Sequence, residues 1–235
     1  MILPILILLG CNETKNQKTE LETEVEIKKE IPKVESIYKI DFDSTKISTF
    51  KIEESEFSSA RALTQKLSDY TSKELNAVPD FIRLTMSIVI PFDISKENLE
   101  NTLKSIVYEK TEKNKDIDEI VIFAYDDKND IGSGYTFGKL LWAPNAKTGN
   151  VTPQIAKNNI RTNYRFDIII KDKVGKITKS DLPTKRELDI YNEIMSEKYW
   201  DMQEEDMLPI VMKKFNIKTE KELKDIHLKV LAYKM

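Results

Sequence analysis

The sequence predicts an α+β protein, a mixed β-sheet with a β-α-β-β hairpin core and a three-helix extension at the C-terminal end. Three observations predict it. In IRLTMSIVIP, Ile82, Leu84, Met86, Ile88 and Ile90 alternate with Arg83, Thr85 and Ser87, the period of a strand with one buried face. From Ser95 to about residue 112, Leu99, Leu103, Ile106 and Val107 recur at helical spacing. In the last third, Thr184-x-x-Glu187 and Thr219-x-x-Glu222 have the form of capping boxes, in which a hydroxyl and a carboxylate satisfy the orphan N–H groups of a helix start.

Taken in chain order, the elements begin near Ile37. Tyr38, Ile40 and Phe42 alternate with polar residues, as do Ile47, Phe50 and Ile52, predicting two strands. Residues 58–75 carry Ala62, Leu63, Leu67 and Tyr70 at helical spacing, predicting a short amphipathic helix that Asn76 and Pro79 stop. Pro91 ends the 82–90 strand, because proline cannot donate to a ladder. Ser95 is the N-cap of the next helix, with Ile94 and Leu99 at the positions of a hydrophobic staple. IVIFAY (120–125) is apolar without alternation, as a central strand covered on both faces must be. DDKNDIGSG turns the chain and YTFGKLLW (135–142) returns. A strand, a helix and a second apolar strand make a right-handed β-α-β crossover, closed by a hairpin. RFDIII (165–170) supplies one more strand. In the tail, Leu188, Tyr191, Ile194, Met195 and Tyr199 form the stripe of one helix, and Leu223, Ile226, Val230 and Leu231 that of another. DMLPIVMKKF lies between them, with Asp206 as its expected cap so that Pro209 falls in the first turn.

The first segment carries an address. Ile2 to Leu9 form an apolar run of eight, broken only by Pro4, too short for the roughly 20 residues of a spanning helix. It has the length of a secretory-signal centre, typically about 7–15 residues. The single cysteine of the chain follows at once. Leu8-Leu9-Gly10-Cys11 resembles the lipobox of bacterial lipoproteins. The resemblance implies removal of residues 1–10, diacylation of Cys11 and acylation, commonly by palmitate, of the new amino terminus. No Lys or Arg precedes Cys11, which points to a natural start a few codons upstream of Met1. The alternative is a short apolar helix docked on the body with a buried thiol. Residues 11–36 read as the lipidated cysteine and a tether: NETKNQKTELETEVEIKKEIPKVE mixes charges of both signs and isolates its apolar residues, so little surface can be buried. About 24 such residues reach on the order of 25–30 Å as a coil. A charged helix over 19–30 would serve equally as a spacer. The expected body is an α+β domain over 37–180, with the helical extension over 181–235.

FAYDDKNDIGSGYTFGKLLWAPNAKTGN, with the crossover before it, resembles a domain of unknown function found in uncharacterised bacterial envelope proteins. The residues that carry the likeness are Tyr135 to Gly138 and Trp142-Ala143-Pro144-Asn145. The tail resembles an extension seen on such proteins. The resemblance implies no activity, so no catalytic residue follows from it.

Composition excludes several classes. A net charge of -3 from 37 basic and 40 acidic residues leaves no basic footprint for nucleic acid. The tail from 184 has a helix-turn-helix look, yet its 10 basic against 11 acidic residues do not suit phosphate contacts. One cysteine and one histidine exclude thiolate and histidine zinc motifs. Gly132-Ser133-Gly134 has Phe137 where a dinucleotide fingerprint needs its third glycine, and no Gly-Lys-Ser/Thr follows. Asp126, Asp127, Asn129 and Asp130 come nearest to a metal-binding set, but an EF-hand begun at Asp127 puts Ile131 at position five and Gly138 at position twelve. Turn chemistry is the simpler reading. His227 sits at the edge of an apolar stripe, as a structural histidine does. No cofactor is implied.

Lys157, Arg161 and Arg165, interleaved with amides and near Tyr135 and Trp142, are the candidate ligand surface, since Arg recognises carboxylates and phosphates through paired hydrogen bonds. The expectation is a membrane-anchored lipoprotein of the bacterial envelope, on the periplasmic or cell-surface side. It acts as a non-enzymatic module for an unknown envelope protein or ligand. Two alternatives are a hydrolase built on paired carboxylates such as Asp126 or Asp127 with another, and an immunity or inhibitor lipoprotein directed at a toxin.

Overall fold

The computed structural model describes residues 39–132 and 134–235. Cys11, the tether, Ile37 and Tyr38 lie outside the described residues. The architecture is α+β, with one five-stranded mixed sheet and a helical tail. In chain order the described residues form β1 (Lys51–Arg61), α1 (Ser72–Ala77), β2 (Asp80–Val89), α2 (Lys96–Lys113), β3 (Ile117–Tyr125) and β4 (Gly138–Pro144). Then come α3 (Pro153–Asn158), β5 (Tyr164–Ile170), α4 (Lys185–Ile194), α5 (Glu204–Phe215) and α6 (Glu220–Lys234).

The strands lie in sequence order, β1 to β5. Only β2 and β3 are parallel, and α2 is the crossover between them. Register fixes which side chains share a face. Met86, Ile122, Leu140 and Ile168 lie in one row across four strands. The row packs under α2, whose Leu99, Leu103, Ile106 and Val107 are fully buried with Leu84, Ile88 and Trp142. Each such side chain contributes roughly 1.5–3 kcal/mol by leaving water. Ile94 and Leu99 are buried on either side of the Ser95 cap, and the Ser95 hydroxyl accepts from Asn98 N at 3.0 Å. Gly138 opens β4 in close quarters: a Cβ there would lie 3.0 Å from the Ile169 carbonyl oxygen and 3.3 Å from Leu99 Cδ2, so both neighbours would have to give way by a few tenths of an ångström. The opposite face buries Val121, Leu141 and Ala143, so β3 is covered on both sides, as its uninterrupted apolar run predicts.

The first third differs from its sequence pattern. The 58–75 helix does not form: β1 runs on to Arg61, a 3₁₀ turn follows at Leu67–Asp69, and only Ser72–Ala77 is α-helical. Ladder pairing overrides the local spacing, since Lys51–Arg61 runs antiparallel to Asp80–Val89 and Ala62 N donates to Pro79 O at 2.9 Å to continue the pairing. Nor are residues 39–50 a pair of strands. Ile40 and Phe50 pack against the core from extended chain around a 3₁₀ turn at Ser44–Lys46.

The tail has its own small core of Ile190, Ile194, Tyr199, Leu208, Val211, Ile217 and Leu223. Thr184 and Glu187 make the full reciprocal box. Thr219 makes half of one: its hydroxyl accepts from Glu222 N, while Glu222 Oε2 turns to Lys218 N at 3.3 Å. Gln203, not Asp206, precedes the first turn of α5, so Pro209 stands inside the helix. Three acidic residues, Glu204, Glu205 and Asp206, fill that first turn and oppose the positive end of the helix dipole. Among the described residues, no helix is long and apolar enough to cross a membrane.

Candidate functional site

Two groups of polar side chains stand at opposite ends of the sheet. At the start of β3, Asp118 and Glu119 are buried, and each is answered from the loop that follows β4 or from β2. Arg161 Nη2 donates to Asp118 Oδ1 at 2.9 Å and to the Ile117 carbonyl at 3.0 Å. Ile82 N donates to Asp118 Oδ2, and Tyr164 OH to the Asp118 carbonyl. Glu119 takes Arg83 Nε at 2.7 Å on one oxygen and Gly149 N at 2.7 Å on the other. Burial pushes the Asp118 carboxyl up, against the Ile82 N–H and the Arg161 charge. Burial likewise holds the Tyr164 phenol far above its ordinary value. These groups pin loop to sheet.

That result relocates part of the predicted ligand surface. Arg161 is 6 % exposed and Trp142 2 %, so both belong to the interior; Trp142 packs on Tyr164 with ring centroids 4.3 Å apart. The guanidinium that suits an external carboxylate is engaged by an internal one. Arg165 is exposed on β5, where Nη1 donates to the Tyr164 carbonyl, and Lys157 is exposed on α3. Tyr135 lies at the other end of the sheet. The five residues are not brought together.

The second group gathers at the C-terminal ends of the parallel pair β2 and β3, where open α/β sheets offer a crevice. Beyond Tyr125 the chain turns through Asp126 and Asp127. Asp127 Oδ1 accepts from both the backbone and the side-chain N–H of Asn129, each at 2.9 Å, which is the local reason for the 3₁₀ turn at Lys128–Asp130. Asp126 Oδ1 accepts from Thr136 Oγ1 at 2.8 Å, and Oδ2 from the Tyr233 hydroxyl on the last turn of α6. Asp130, buried, pairs with Lys234, and Lys173 donates to the Tyr233 carbonyl. Burial pushes the Lys173 ammonium down, against the pull of Asp126 and Asp130, while burial and the Asp126 bond hold the Tyr233 phenol well above its usual range.

Two clefts flank this seam. The smaller, about 330 Å³, has Ile90, Phe92 and Leu188 for walls, with Asp126, Asp127 and Asp130 beside Tyr233. The larger, about 640 Å³, lies between the turn after β3 and the tail, with Tyr135, Lys171, Tyr191, Asn192 and Lys234 among its lining residues. Comparison with protein-family models, curated proteins and solved structures finds no match.

Among the described residues, no group of three or more His, Cys, Asp or Glu side chains is arranged to hold a metal ion. Asp126, Asp127, Asn129 and Asp130 bond within the turn, to Thr136 and to α6 instead. His227 packs edge-on against Tyr191, centroids 5.5 Å apart, and lines a separate tail cleft of about 240 Å³ with Ile194 and Leu223. Lys171, Tyr191 and Lys234 carry no signal in the sequence, since they come from a loop and two helices that meet only in the fold.

Proposed function

We propose that the protein is a bacterial lipoprotein held to the envelope by acyl chains on Cys11, with its α+β body acting as a non-enzymatic binding module through the face formed by the β3 turn and α6. The address rests on Leu8-Leu9-Gly10-Cys11, the apolar run before it and the charged segment after it. Two or three acyl chains hold firmly, because each buried methylene contributes about 0.8 kcal/mol.

The observation that carries the binding role is the larger cleft, a concave site of about 640 Å³ with aromatic, amide and ammonium groups on its walls. Such a mixture suits recognition. The carboxylates a hydrolase would use favour this reading too: Asp126 already accepts from Thr136 and Tyr233, and Asp130 is neutralised by Lys234. The test is intact mass and membrane partitioning of the protein expressed from its own gene, beside Cys11→Ala. The expected result is a diacylglyceryl mass on Cys11 and membrane fractionation in the wild type alone. Two soluble, unmodified forms would end the lipoprotein reading.

A further inference from the structure

We propose that the tail cleft beside His227 is a site for a soft monovalent metal ion, Cu(I), with the thioethers of Met202 and Met207 and the imidazole of His227 as its donors. The site is separate from the two clefts at the β3 turn. The proposal goes beyond the binding-module reading and does not depend on it.

The local sequence brings the two methionines to one place. Met202 stands immediately before Gln203, the N-cap of α5, and Met207 is the fourth residue of that helix. Those are the positions whose side chains meet in a hydrophobic staple. Backbone bonds hold both in place: Met202 N donates to the Tyr199 carbonyl at 3.0 Å, and Met207 N to the Gln203 carbonyl at 3.1 Å. Both methionines line one cleft of about 240 Å³, and His227 lines it from α6. Leu208 and Leu223, both buried, give it apolar walls, while Met202 is 38 % exposed and leaves the cleft open to solvent. The His227 ring is set by its edge-on contact with Tyr191, centroids 5.5 Å apart. Neither of its nitrogens has a hydrogen-bond partner among the described residues.

Donor chemistry decides the class of ion. The two charged side chains on the lining, Glu204 and Lys224, pair with each other at 3.1 Å. What remains is one imidazole and two thioethers, three donors without formal charge. A zinc site draws on thiolates, carboxylates or several imidazoles, and the described residues assemble no such group. Calcium and magnesium require a cage of oxygens. Thioether sulfur is soft and polarisable, and with an imidazole beside it the set selects Cu(I) over the harder divalent ions. A single positive charge also suits neutral donors, because less charge has to leave water to enter the cleft.

The experiment uses the full chain carrying Cys11→Ala in mild detergent, which removes the one thiol that would compete for the ion. Cu(I) is titrated without oxygen against the chelator bicinchoninate, with Zn(II) in a parallel titration, and the methyl groups of the seven methionines are followed by carbon-13 NMR. The expected result is one Cu(I) per chain with a Kd below about 1 μM, and methyl shifts confined to Met202 and Met207. Bound metal should also raise the unfolding midpoint, since it favours the folded state. Met207→Leu keeps the side-chain volume, so the tail still packs, and His227→Gln changes a residue outside the buried core. Each should weaken Cu(I) binding at least about tenfold. The proposal is overturned if Cu(I) binds no tighter than about 1 μM, if Zn(II) binds more tightly than Cu(I), if the shifts fall on other methionines, or if either variant loses less than about tenfold.

Discussion

Arg161→Met asks how much of the body depends on one buried ion pair. The guanidinium is 6 % exposed and Asp118 2 %, so removing the cation leaves a carboxylate in the interior with no opposite charge. Breaking a buried pair from one side costs about 3–5 kcal/mol. Two features set the value here. Asp118 Oδ2 keeps the Ile82 N–H at 2.9 Å, which lowers the cost. Arg161 Nη2 also serves the Lys115 and Ile117 carbonyls at 3.2 and 3.0 Å, and their loss raises it. We expect about 3–4 kcal/mol, which for a body of this size lowers the melting temperature by roughly 6–16 °C. The assay is urea unfolding at neutral pH of wild type, Arg161→Met, Asp118→Asn and the double variant. Because each single substitution strands one charge and the double strands none, the double should fall short of the sum by at least about 1 kcal/mol. A cost below about 1 kcal/mol for Arg161→Met, or additivity within about 0.5 kcal/mol, would refute the reasoning.

Three further outcomes follow from the same geometry. Hydrogen bonds from Lys198 and Lys214 pull the Glu193 carboxyl down to about 2. A depressed carboxyl stabilises the fold above its unfolded value and loses that contribution as pH falls toward about 2, so urea midpoints should drop with acid in the wild type and drop less in Glu193→Gln. Pro209 lies in the interior of α5 on its exposed side and cannot donate back to Glu205; Pro209→Ala should stabilise the tail by about 1–3 kcal/mol, read by circular dichroism on melting. Gly138→Ala pushes a methyl against the Ile169 carbonyl and Leu99, and should cost about 1–3 kcal/mol in the same measurement.

How legible the fold is depends on where each segment's information resides. β2, α2 and β3 are readable because burial on one face, a staple and burial on both faces leave distinct periods in Ile82–Ile90, Ile94–Val107 and Ile120–Tyr125. β1 has no such period, since almost every side chain from Lys51 to Arg61 is exposed and the strand is specified by its partner β2. Helical spacing at Ala62, Leu63, Leu67 and Tyr70 misleads for the same reason: Ala62 is buried by a ladder, while Leu67 is 61 % exposed. Arg161 reads as a surface cation because its partner Asp118 is 43 residues earlier. The Asp126–Asp130 turn is legible as turn chemistry, but nothing local connects it to Tyr233 or Lys234.

That last connection bears on the order in which the molecule assembles. Tyr233 and Asp126 are 107 residues apart in the chain, and Lys234 and Asp130 are 104. Contacts this distant carry a large loop-closure cost unless intervening structure has already brought the ends near. The β3–β4 hairpin needs only a short connection, so in pulsed hydrogen exchange its amides should gain protection before those of α6. Both clefts then come into being as the last event of folding, when α6 seats over residues that the finished sheet has already presented. Any lesion that slows this step would leave a protein with an intact sheet and neither cleft.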